Sequence, residues 1–200
     1  MKKTILTLTA VTLAAAATPA VAGTITAEVR FADVRGGQAP DSTEYRVEYF
    51  APANSLINYG AELQVKQKNN EGPLTSLISA KVGPAIPDVL GFKTNAYAEV
   101  GAALSEKVTT RVGNVTRVTG GNDAFWGAAV KVSRPVYGPV SVNLGYRHRE
   151  GFGSFALNEN RLNGGLTLAM NDANSVGVTY YRTTGTTRAD AIGVGLNHKF

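Results

Sequence analysis

Charged side chains recur at every second position in several short stretches of the sequence. One stretch carries Glu28 and Arg30, and another carries Glu44, Arg46 and Glu48. In an extended strand, a spacing of two places side chains on the same face. Guanidinium groups bind carboxylates through paired N–H donors, and rows of fixed charge select ions by sign. The pattern therefore indicates either an ion path or a set of internal ion pairs.

The opposite face of these stretches is apolar, so we predict that the charges line the inside of a closed sheet. The predicted inward bases are Arg30, Arg46, Lys66, Lys81, Lys93, Arg111, Arg117, Lys131, Arg147, Arg149 and Arg161. The predicted inward acids are Glu28, Glu44, Glu48, Glu62 and Glu99. An excess of fixed positive charge lowers the barrier for anions, so an anion-favouring lumen is expected. In the alternative, these charges pair with one another and fill the lumen.

The sequence does not supply the groups that a hydrolytic site requires. Its two histidines are His148 and His198, and no serine occupies a matching position beside His148. A nucleophile, a base and an orienting acid are therefore not brought together. The sequence also shows no metal-ligand cluster and no glycine-rich phosphate loop. We predict no enzyme activity, no catalytic residue, no metal and no cofactor.

Apolar and polar residues alternate with a period of two over most of the chain after residue 22. In 140–149, for example, Val142 and Leu144 alternate with Ser141 and Asn143. This period is typical of β-strands with one apolar face, and turn residues separate the runs. Eleven such runs occur, at 24–34, 43–51, 57–67, 75–83, 92–104, 107–118, 123–133, 140–149, 160–170, 175–183 and 189–200. The chain is therefore predicted to be an all-β, antiparallel protein.

The first 22 residues have the composition of a cleavable signal peptide. Lys2 and Lys3 precede a short apolar run at 5–17, and 20–22 has the small-x-small pattern of a cleavage site. The apolar run is too short for a membrane-spanning helix. We therefore assign 1–22 to a signal peptide and 23–200 to one β-barrel domain. An exported chain without cysteine cannot rely on disulfides, so a core or sheet closure must stabilise it.

Small residues distinguish a transmembrane barrel from a soluble β-sandwich, which is the alternative for this alternation. Glycines fall repeatedly on the polar face, where they would leave space for long side chains inside a crowded lumen: Gly145, Gly165, Gly177, Gly193 and Gly195. Aromatic residues fall mostly near strand ends on the apolar face, as in the girdles of outer-membrane barrels. We therefore predict an up-and-down barrel in the bacterial outer membrane.

Eleven runs conflict with the even strand number and the two periplasmic termini of single-chain bacterial barrels. Counting back from Phe200 places the connections 184–188, 150–159 and 118–123 outside, with 171–174, 134–139 and 105–107 at the periplasmic side. Counting forward from Gly23 places 35–42 and 68–73 outside, with 52–56 at the periplasmic side. The two counts disagree between residues 84 and 95, where they assign the chain to opposite sides of the membrane. A short extra strand at 89–93 would give twelve strands, and one irregular segment at 74–95 would give ten. We predict twelve, with ten as the alternative.

The chain ends in the sequence Gly-Val-Gly-Leu-Asn-His-Lys-Phe. This ending resembles the sorting signal of outer-membrane proteins, which the barrel-assembly machinery reads. The resemblance implies that Phe200 is an assembly signal and that this machinery is a partner during biogenesis.

The size and layout of the chain resemble the small, monomeric, twelve-strand porins specific for oligogalacturonate. The resemblance includes the first strand, with Glu28-Val29-Arg30-Phe31, and the polar loop before the terminal strand. The present chain is shorter than typical members of that family. The resemblance implies an arginine-rich lumen that passes acidic oligosaccharides.

The expected function is that of a passive channel for small, anionic solutes. Its expected surroundings are outer-membrane lipid and lipopolysaccharide, without a nucleic-acid partner and as a monomer. The alternative is a non-conducting structural or surface-interaction barrel, in which every inward arginine has a carboxylate partner.

Overall fold

The computed structural model describes residues 22–33, 42–52, 56–68, 74–112, 115–153, 157–186 and 188–200. For Asp33, Lys68, 106–112 and 115–120, only the backbone is described. The predicted signal peptide lies outside the described residues except at Ala22.

Ten antiparallel strands form a closed barrel. Each strand pairs with its neighbours in sequence, and β10 pairs with β1 to complete the ring. The strands are β1 (Thr24–Asp33), β2 (Ser42–Pro52), β3 (Ile57–Lys68), β4 (Thr75–Pro84), β5 (Lys93–Val112), β6 (Val115–Tyr137), β7 (Val140–Gly151), β8 (Asn158–Ala169), β9 (Asn174–Gly185) and β10 (Ala189–Lys199). Among the described residues, no helix is long and apolar enough to cross a membrane.

The barrel is apolar outside and charged inside, as the period-two pattern predicts. On β10, Val194 and Leu196 face outward and remain 46% and 60% exposed. On the adjacent β1, Glu28 and Arg30 face inward and are only 6% and 2% exposed. A soluble protein would expose the charges and bury the apolar residues. The inverted arrangement suits a barrel surrounded by lipid, because ring closure also leaves no unpaired strand edge in the hydrocarbon.

The twelve-strand prediction is wrong, and the ten-strand alternative matches the structure. The predicted run 107–118 is not a separate strand, because its first half continues β5 and its second half begins β6. The predicted connections at 105–107 and 118–123 therefore lie within strands. A register irregularity between Ser105 and Val108 interrupts the alternation, which explains why one long strand reads as two runs. Gly121, in the predicted turn, lies within β6 with a φ of 131°.

The segment between β4 and β5 does not contain an additional strand. Val89 and Phe92 form a single isolated antiparallel bridge, and Leu90 and Gly91 between them have φ values of 53° and 75°. Two consecutive residues with positive φ form a tight turn that reverses the chain. Residues 85–92 are therefore a connection, and the extra strand predicted at 89–93 is absent. The single irregular segment at 74–95, which was the route to the ten-strand alternative, is also wrong, because β4 occupies Thr75–Pro84.

The two ends of the barrel differ, and we name them by the chain segments they carry. The termini mouth carries Gly23, Phe200 and the connections 85–92, 138–139 and 170–173. There the Phe200 amide donates a hydrogen bond to the Gly23 carbonyl at 3.0 Å, next to the seam between β1 and β10. The opposite end, the hairpin mouth, carries the connection between β5 and β6.

The β5–β6 hairpin is longer than the strands beside it. β5 and β6 have 20 and 23 residues, whereas β4 and β7 have 10 and 12. β4 pairs with β5 as far as Ser105, and β7 pairs with β6 from Phe125 onward. Within the described backbone, the rest of β5 and β6 forms ladder pairs only within the hairpin. It is a two-stranded ribbon that extends beyond the hairpin mouth.

Disulfide trapping tests the β5–β6 register directly, because the chain has no cysteine. Ala102 and Ala124 are directly opposite each other, and opposed Cα atoms of antiparallel strands lie about 4.5–5.5 Å apart, within disulfide range. We expect Ala102→Cys with Ala124→Cys to form an intramolecular disulfide on mild oxidation, detected by a gel shift that reductant reverses. Ala102→Cys with Ala128→Cys is the matched control and should remain reduced. A disulfide in the control alone would contradict the register.

Candidate functional site: an ion-pair layer in the lumen

Thirteen charged side chains from eight strands meet inside the barrel. We call this set the ion-pair layer; its members are Glu28, Arg30, Glu44, Arg46, Glu48, Glu62, Lys81, Glu99, Lys131, Arg147, Arg149, Glu159 and Arg161. All of these side chains except Lys131 and Glu159 are less than a tenth exposed. Buried charges are stable only when they are paired and hydrogen-bonded, so the contacts within the layer decide whether the barrel can hold it.

Glu62 on β3 is the centre of the layer. One carboxylate oxygen accepts hydrogen bonds from Arg46 Nε at 2.9 Å and from Lys81 Nζ at 2.6 Å. The other accepts from Arg149 at 2.8 Å and from Arg147 at 3.3 Å. Four cations therefore share one carboxylate that is 1% exposed. Because Arg147 and Arg149 lie on β7, with three strands between β3 and β7 on the shorter way round, Glu62 links distant walls.

Two further glutamates on β2 make similar links across the lumen. Glu44 accepts from Arg30 on the neighbouring strand and from Arg161 on β8 at 3.1 Å. Glu48 accepts from Arg46 and Lys81, and from Lys131 on β6 at 3.0 Å. β8 and β6 are each separated from β2 by three strands. These contacts connect strands across the lumen as well as strands that pair with each other.

Glu159 and Glu99 complete the pairing of the arginines on β7 and β8. Glu159 bridges Arg147 at 2.8 Å and Arg161 at 3.2 Å, and Glu99 binds Arg149 through both of its oxygens. Every inward arginine whose side chain is described therefore has a carboxylate partner. Seven cations and six glutamates make up the layer, so its charges nearly balance.

Aromatic rings cover several of these charges. Arg30 lies 4.1 Å from the ring centroid of Tyr181, whose hydroxyl donates to Glu28. Arg149 lies 5.0 Å from the ring centroid of Phe125. Cations are attracted to the faces of aromatic rings, more so when water is excluded. The rings therefore hold the guanidinium groups while keeping water away from them.

The lumen is packed differently on the two sides of the layer. Toward the hairpin mouth, the inward side chains of Phe125 and Leu77 are 1% and 6% exposed, and we call these two buried residues the apolar plug. Toward the termini mouth lies a polar vestibule of about 210 Å³. Its wall includes Thr26, Asn95, Ser133, Asn143, Asn163, Thr167, Thr179 and Asn197. A smaller inner cavity of about 40 Å³ adjoins it at the layer, sharing Arg46, Lys131, Asn163 and Tyr181 with its wall.

Glycines on the inner face make space for the layer. A Cβ at Gly193 would lie 2.4 Å from a Glu28 carboxylate oxygen and 3.0 Å from the Tyr181 ring. At Gly127 a Cβ would lie 2.8 Å from a Glu99 oxygen. Both glycines therefore leave space for a long charged side chain, as the sequence predicts for Gly193.

The structure places most of the predicted inward residues in the ion-pair layer. Lys66 is half-buried on the interior face, opposite Glu44 in the register, and Lys93 is exposed near the termini mouth. Arg111 and Arg117 lie outside the residues whose side chains are described. Sequence reasoning missed Glu159, which it assigned to the end of a loop, although the Glu159–Arg161 spacing continues the pattern of alternate charges. It also missed Phe125 and Tyr181 as lumen residues.

The outward histidine has a polar and aromatic environment on the barrel exterior. His148 Nδ1 lies 3.0 Å from the side-chain oxygen of Asn160, which also accepts from the Tyr146 hydroxyl at 2.7 Å. The Trp126 ring packs edge-on against His148 at 5.4 Å. Amphipathic rings of this kind are typical of the interfacial girdle of an outer-membrane barrel.

Comparisons with known proteins show the fold and do not identify a family. The sequence matches no protein-family model and no curated protein. Among solved structures, the β domain of the Bordetella autotransporter BrkA aligns at 9% identity over 90% of this chain and 99% of its own, with a TM-score of 0.54. The translocator domain of the autotransporter NalP from Neisseria meningitidis aligns at 10% identity over 100% and 95%, with a TM-score of 0.46.

A KdgM porin in complex with disordered oligogalacturonate aligns at 8% identity over 90% of this chain and 99% of its own, with a TM-score of 0.39. That score is too low to carry an argument, and the resemblance to oligogalacturonate-specific porins is not confirmed. The coarser conclusion stands on the fold and the apolar exterior. Closed antiparallel barrels of this kind span the bacterial outer membrane, and this chain is an outer-membrane β-barrel.

Replacing Glu62 should destabilise the barrel strongly. Glu62→Gln leaves four buried cations without their shared charge, and breaking a buried ion pair costs about 3–5 kcal/mol. We expect the free energy of unfolding in urea, measured for protein refolded into lipid vesicles, to fall by that amount. Glu150→Gln is the matched control, because the Glu150 side chain is 52% exposed. Equal losses in the two variants would contradict the central role of Glu62.

Gly193 and Gly195 provide a second comparison on one face of one strand. A Cβ at Gly193 overlaps Glu28, whereas a Cβ at Gly195 lies at ordinary contact distances of 3.4 Å or more. Overpacking costs about 1–3 kcal/mol, so Gly193→Ala should lower the free energy of unfolding by that amount. Gly195→Ala should change it little. Equal effects of the two substitutions would show that space at Gly193 does not limit the packing of Glu28.

Proposed function

We propose that this protein is a small passive channel of the outer membrane whose path is closed at rest by the ion-pair layer. The observation that carries the proposal is the polar vestibule, which leads from the termini mouth to buried, paired charges. A barrel with eight strands encloses only a packed interior, and ten strands leave room for a vestibule but not for a wide pore.

The charged side chains that close the lumen favour a path that can open over a permanent seal. Buried ion pairs are often no more stabilising than apolar residues of similar volume, so a barrel that needed only a seal could fill its lumen with leucine and phenylalanine. Charged side chains can exchange a protein partner for water or for a passing ion. The ion-pair layer therefore supports a barrier that rearranges.

The proposed solutes are water and small ions. A cavity needs about 10–15 Å³ to hold one water, so the inner cavity of about 40 Å³ has room for very few particles of that size. The single excess cation of the layer supports a weak preference for anions. Acidic oligosaccharides would require a much larger opening of the layer.

The second candidate is a structural barrel that never conducts. It is favoured by the apolar plug of Phe125 and Leu77 beyond the layer, and by the carboxylate partner of every described inward arginine. Both candidates share the orientation that we infer, with the termini mouth toward the periplasm, and both keep Phe200 as the proposed signal for the barrel-assembly machinery.

Planar-bilayer recording separates the two candidates. We expect the wild type to show rare, small openings, with reversal potentials in a potassium chloride gradient that indicate a weak anion preference. Phe125→Ala with Leu77→Ala should raise the conductance, because it removes the plug without substituting any charged residue of the ion-pair layer. Phe31→Ala is the control, since Phe31 faces outward and is 59% exposed.

Folding of each variant is checked by the resistance of the closed barrel to unfolding in detergent without heating. Silent bilayers for folded wild type and for the folded double variant would exclude the channel and leave the structural barrel. Selectivity for cations would overturn the proposed anion preference.

A further inference from the structure

We infer that a groove on the outer wall of the barrel binds one molecule of lipid A, the phosphorylated and acylated disaccharide of lipopolysaccharide. An acyl chain lies in the groove, and Arg182 binds a phosphate. The groove has a volume of about 680 Å³ and is lined by outward residues of β6, β7, β8 and β9; we call it the exterior groove. The inference rests on the proposed orientation, with the hairpin mouth outside, and does not depend on conduction.

A glycine on the outward face gives the exterior groove its depth. Gly164 on β8 lies opposite Leu144 on β7 and opposite Tyr180 on β9. The next outward residues along β8 are Leu162 and Leu166, which are exposed. All four neighbours have large side chains, so the wall is lowest at the glycine. Glycine within a strand often marks a place where a ligand approaches closely, and this one faces away from the ion-pair layer.

The wall of the exterior groove suits a hydrocarbon chain. Its apolar residues include Val130, Val132, Leu144 and Leu162. An apolar cavity of about 150 Å³ is enough to bind benzene, so the exterior groove has room for a considerably longer chain. Lipid tails are as apolar as this wall, and association in a bilayer therefore depends on van der Waals packing. A chain in a concave wall gains more of these contacts than a chain on a flat one.

The end of the groove that points to the hairpin mouth carries a cation. Arg182 lines the groove there, on the outward face of β9. It is exposed, and none of the ion pairs among the described residues includes it. A charged side chain on the lipid-facing wall is costly unless it lies near the interface or has a partner. Asp190 lies opposite Arg182 on β10, on the side away from the groove, and does not line it.

A polar cluster continues this end of the groove. The side-chain oxygen of Asn160 accepts a hydrogen bond from the Tyr146 hydroxyl at 2.7 Å and lies 3.0 Å from His148 Nδ1. Its amide nitrogen donates to none of the residues that the structure describes, so it can donate to a ligand. Arg182 is a diagonal neighbour of Asn160 in the register, and such neighbours lie about 7–8 Å apart. A guanidinium and an amide at this spacing suit the phosphate and the sugar of one headgroup.

Trp126 indicates the height of this polar end in the membrane. Its ring packs edge-on against His148 at 5.4 Å, and tryptophan is enriched at the membrane–water interface. Gly164 lies deeper, on the side of the termini mouth. A lipid that enters from the hairpin mouth thus meets its headgroup partners and its acyl-chain groove in the right order. With the hairpin mouth outside, that lipid belongs to the outer leaflet, where lipopolysaccharide supplies phosphates and acyl chains together.

Native mass spectrometry of the wild-type barrel in detergent gives the test. We expect one lipid A to remain bound at concentrations at which phosphatidylglycerol, or lipid A without its phosphates, does not. Arg182→Gln should weaken binding about tenfold, because it removes a charge-assisted hydrogen bond. Gly164→Leu should weaken it by about tenfold as well, because the added side chain displaces several methylene groups from the groove.

Two controls match these substitutions. Arg134→Gln removes an outward arginine near the termini mouth, where Arg134 lies 4.8 Å from the ring centroid of Phe92. Ala98→Leu adds the same side chain as Gly164→Leu at an exposed position of β5 that does not line the groove. Both controls should bind lipid A as the wild type does. Resistance to unfolding in detergent without heating shows which variants are folded.

Equal binding of lipid A and phosphatidylglycerol to the wild type would overturn the inference, as would unchanged lipid A binding by folded Arg182→Gln. A dimer of the chain that Gly164→Leu abolishes would also overturn it and would assign the groove to a second copy. If Gly164→Leu does not fold, the comparison of Arg182→Gln with Arg134→Gln decides the question.

These results separate the lipid site from the channel. Selective binding of lipid A by a barrel that never conducts leaves the site in place and removes the proposed function. Conductance by a barrel without any preference for lipid A does the reverse.

Discussion

The carboxylate of Glu62 is the contact on which the interior of this barrel depends. It is almost fully buried and accepts from two cations on neighbouring strands and two across the lumen. Neither the acid nor the four cations could be buried separately, because an unpaired charge in the interior is prohibitively costly. The strands must therefore close in one register, since a slip of one residue in a strand would turn the inward charges of that strand outward into lipid.

This constraint explains the distribution of the other inward residues. Glycines lie where the long glutamates and arginines cross, and aromatic rings cover guanidinium groups that carboxylates also bind. The arrangement also explains why the lumen is neither an apolar core nor an open pore. The charges need one another, and their pairing leaves a small inner cavity beside the larger polar vestibule.

Much of the fold followed from the period-two pattern, and the rest depended on features that the pattern does not contain. The positions of Glu28, Arg46 and Arg147 in the period-two alternation were enough to predict that their side chains face inward. The strand count failed at the irregularity between Ser105 and Val108, because a bulge shifts the alternation without any turn residue to mark it. Cross-lumen partners such as Arg161 and Glu44 could not be predicted, since they depend on the stagger of the closed ring. Counting charges suggested a basic lumen, whereas the ion-pair layer is nearly balanced, because Lys66 and Lys93 lie apart from it and Glu159 belongs to it.

The β5–β6 ribbon fixes how deep the barrel sits in the bilayer. Beyond Ser105 and before Phe125, each strand of the ribbon has one edge that no neighbouring strand covers within the described backbone. Uncovered amide and carbonyl groups cannot remain in hydrocarbon, so the acyl chains must end at or below the level of these two residues. Trp126 then falls at the level of the headgroups, where its ring is best accommodated. The hydrocarbon thickness that this barrel accepts is thus set by where β4 and β7 end.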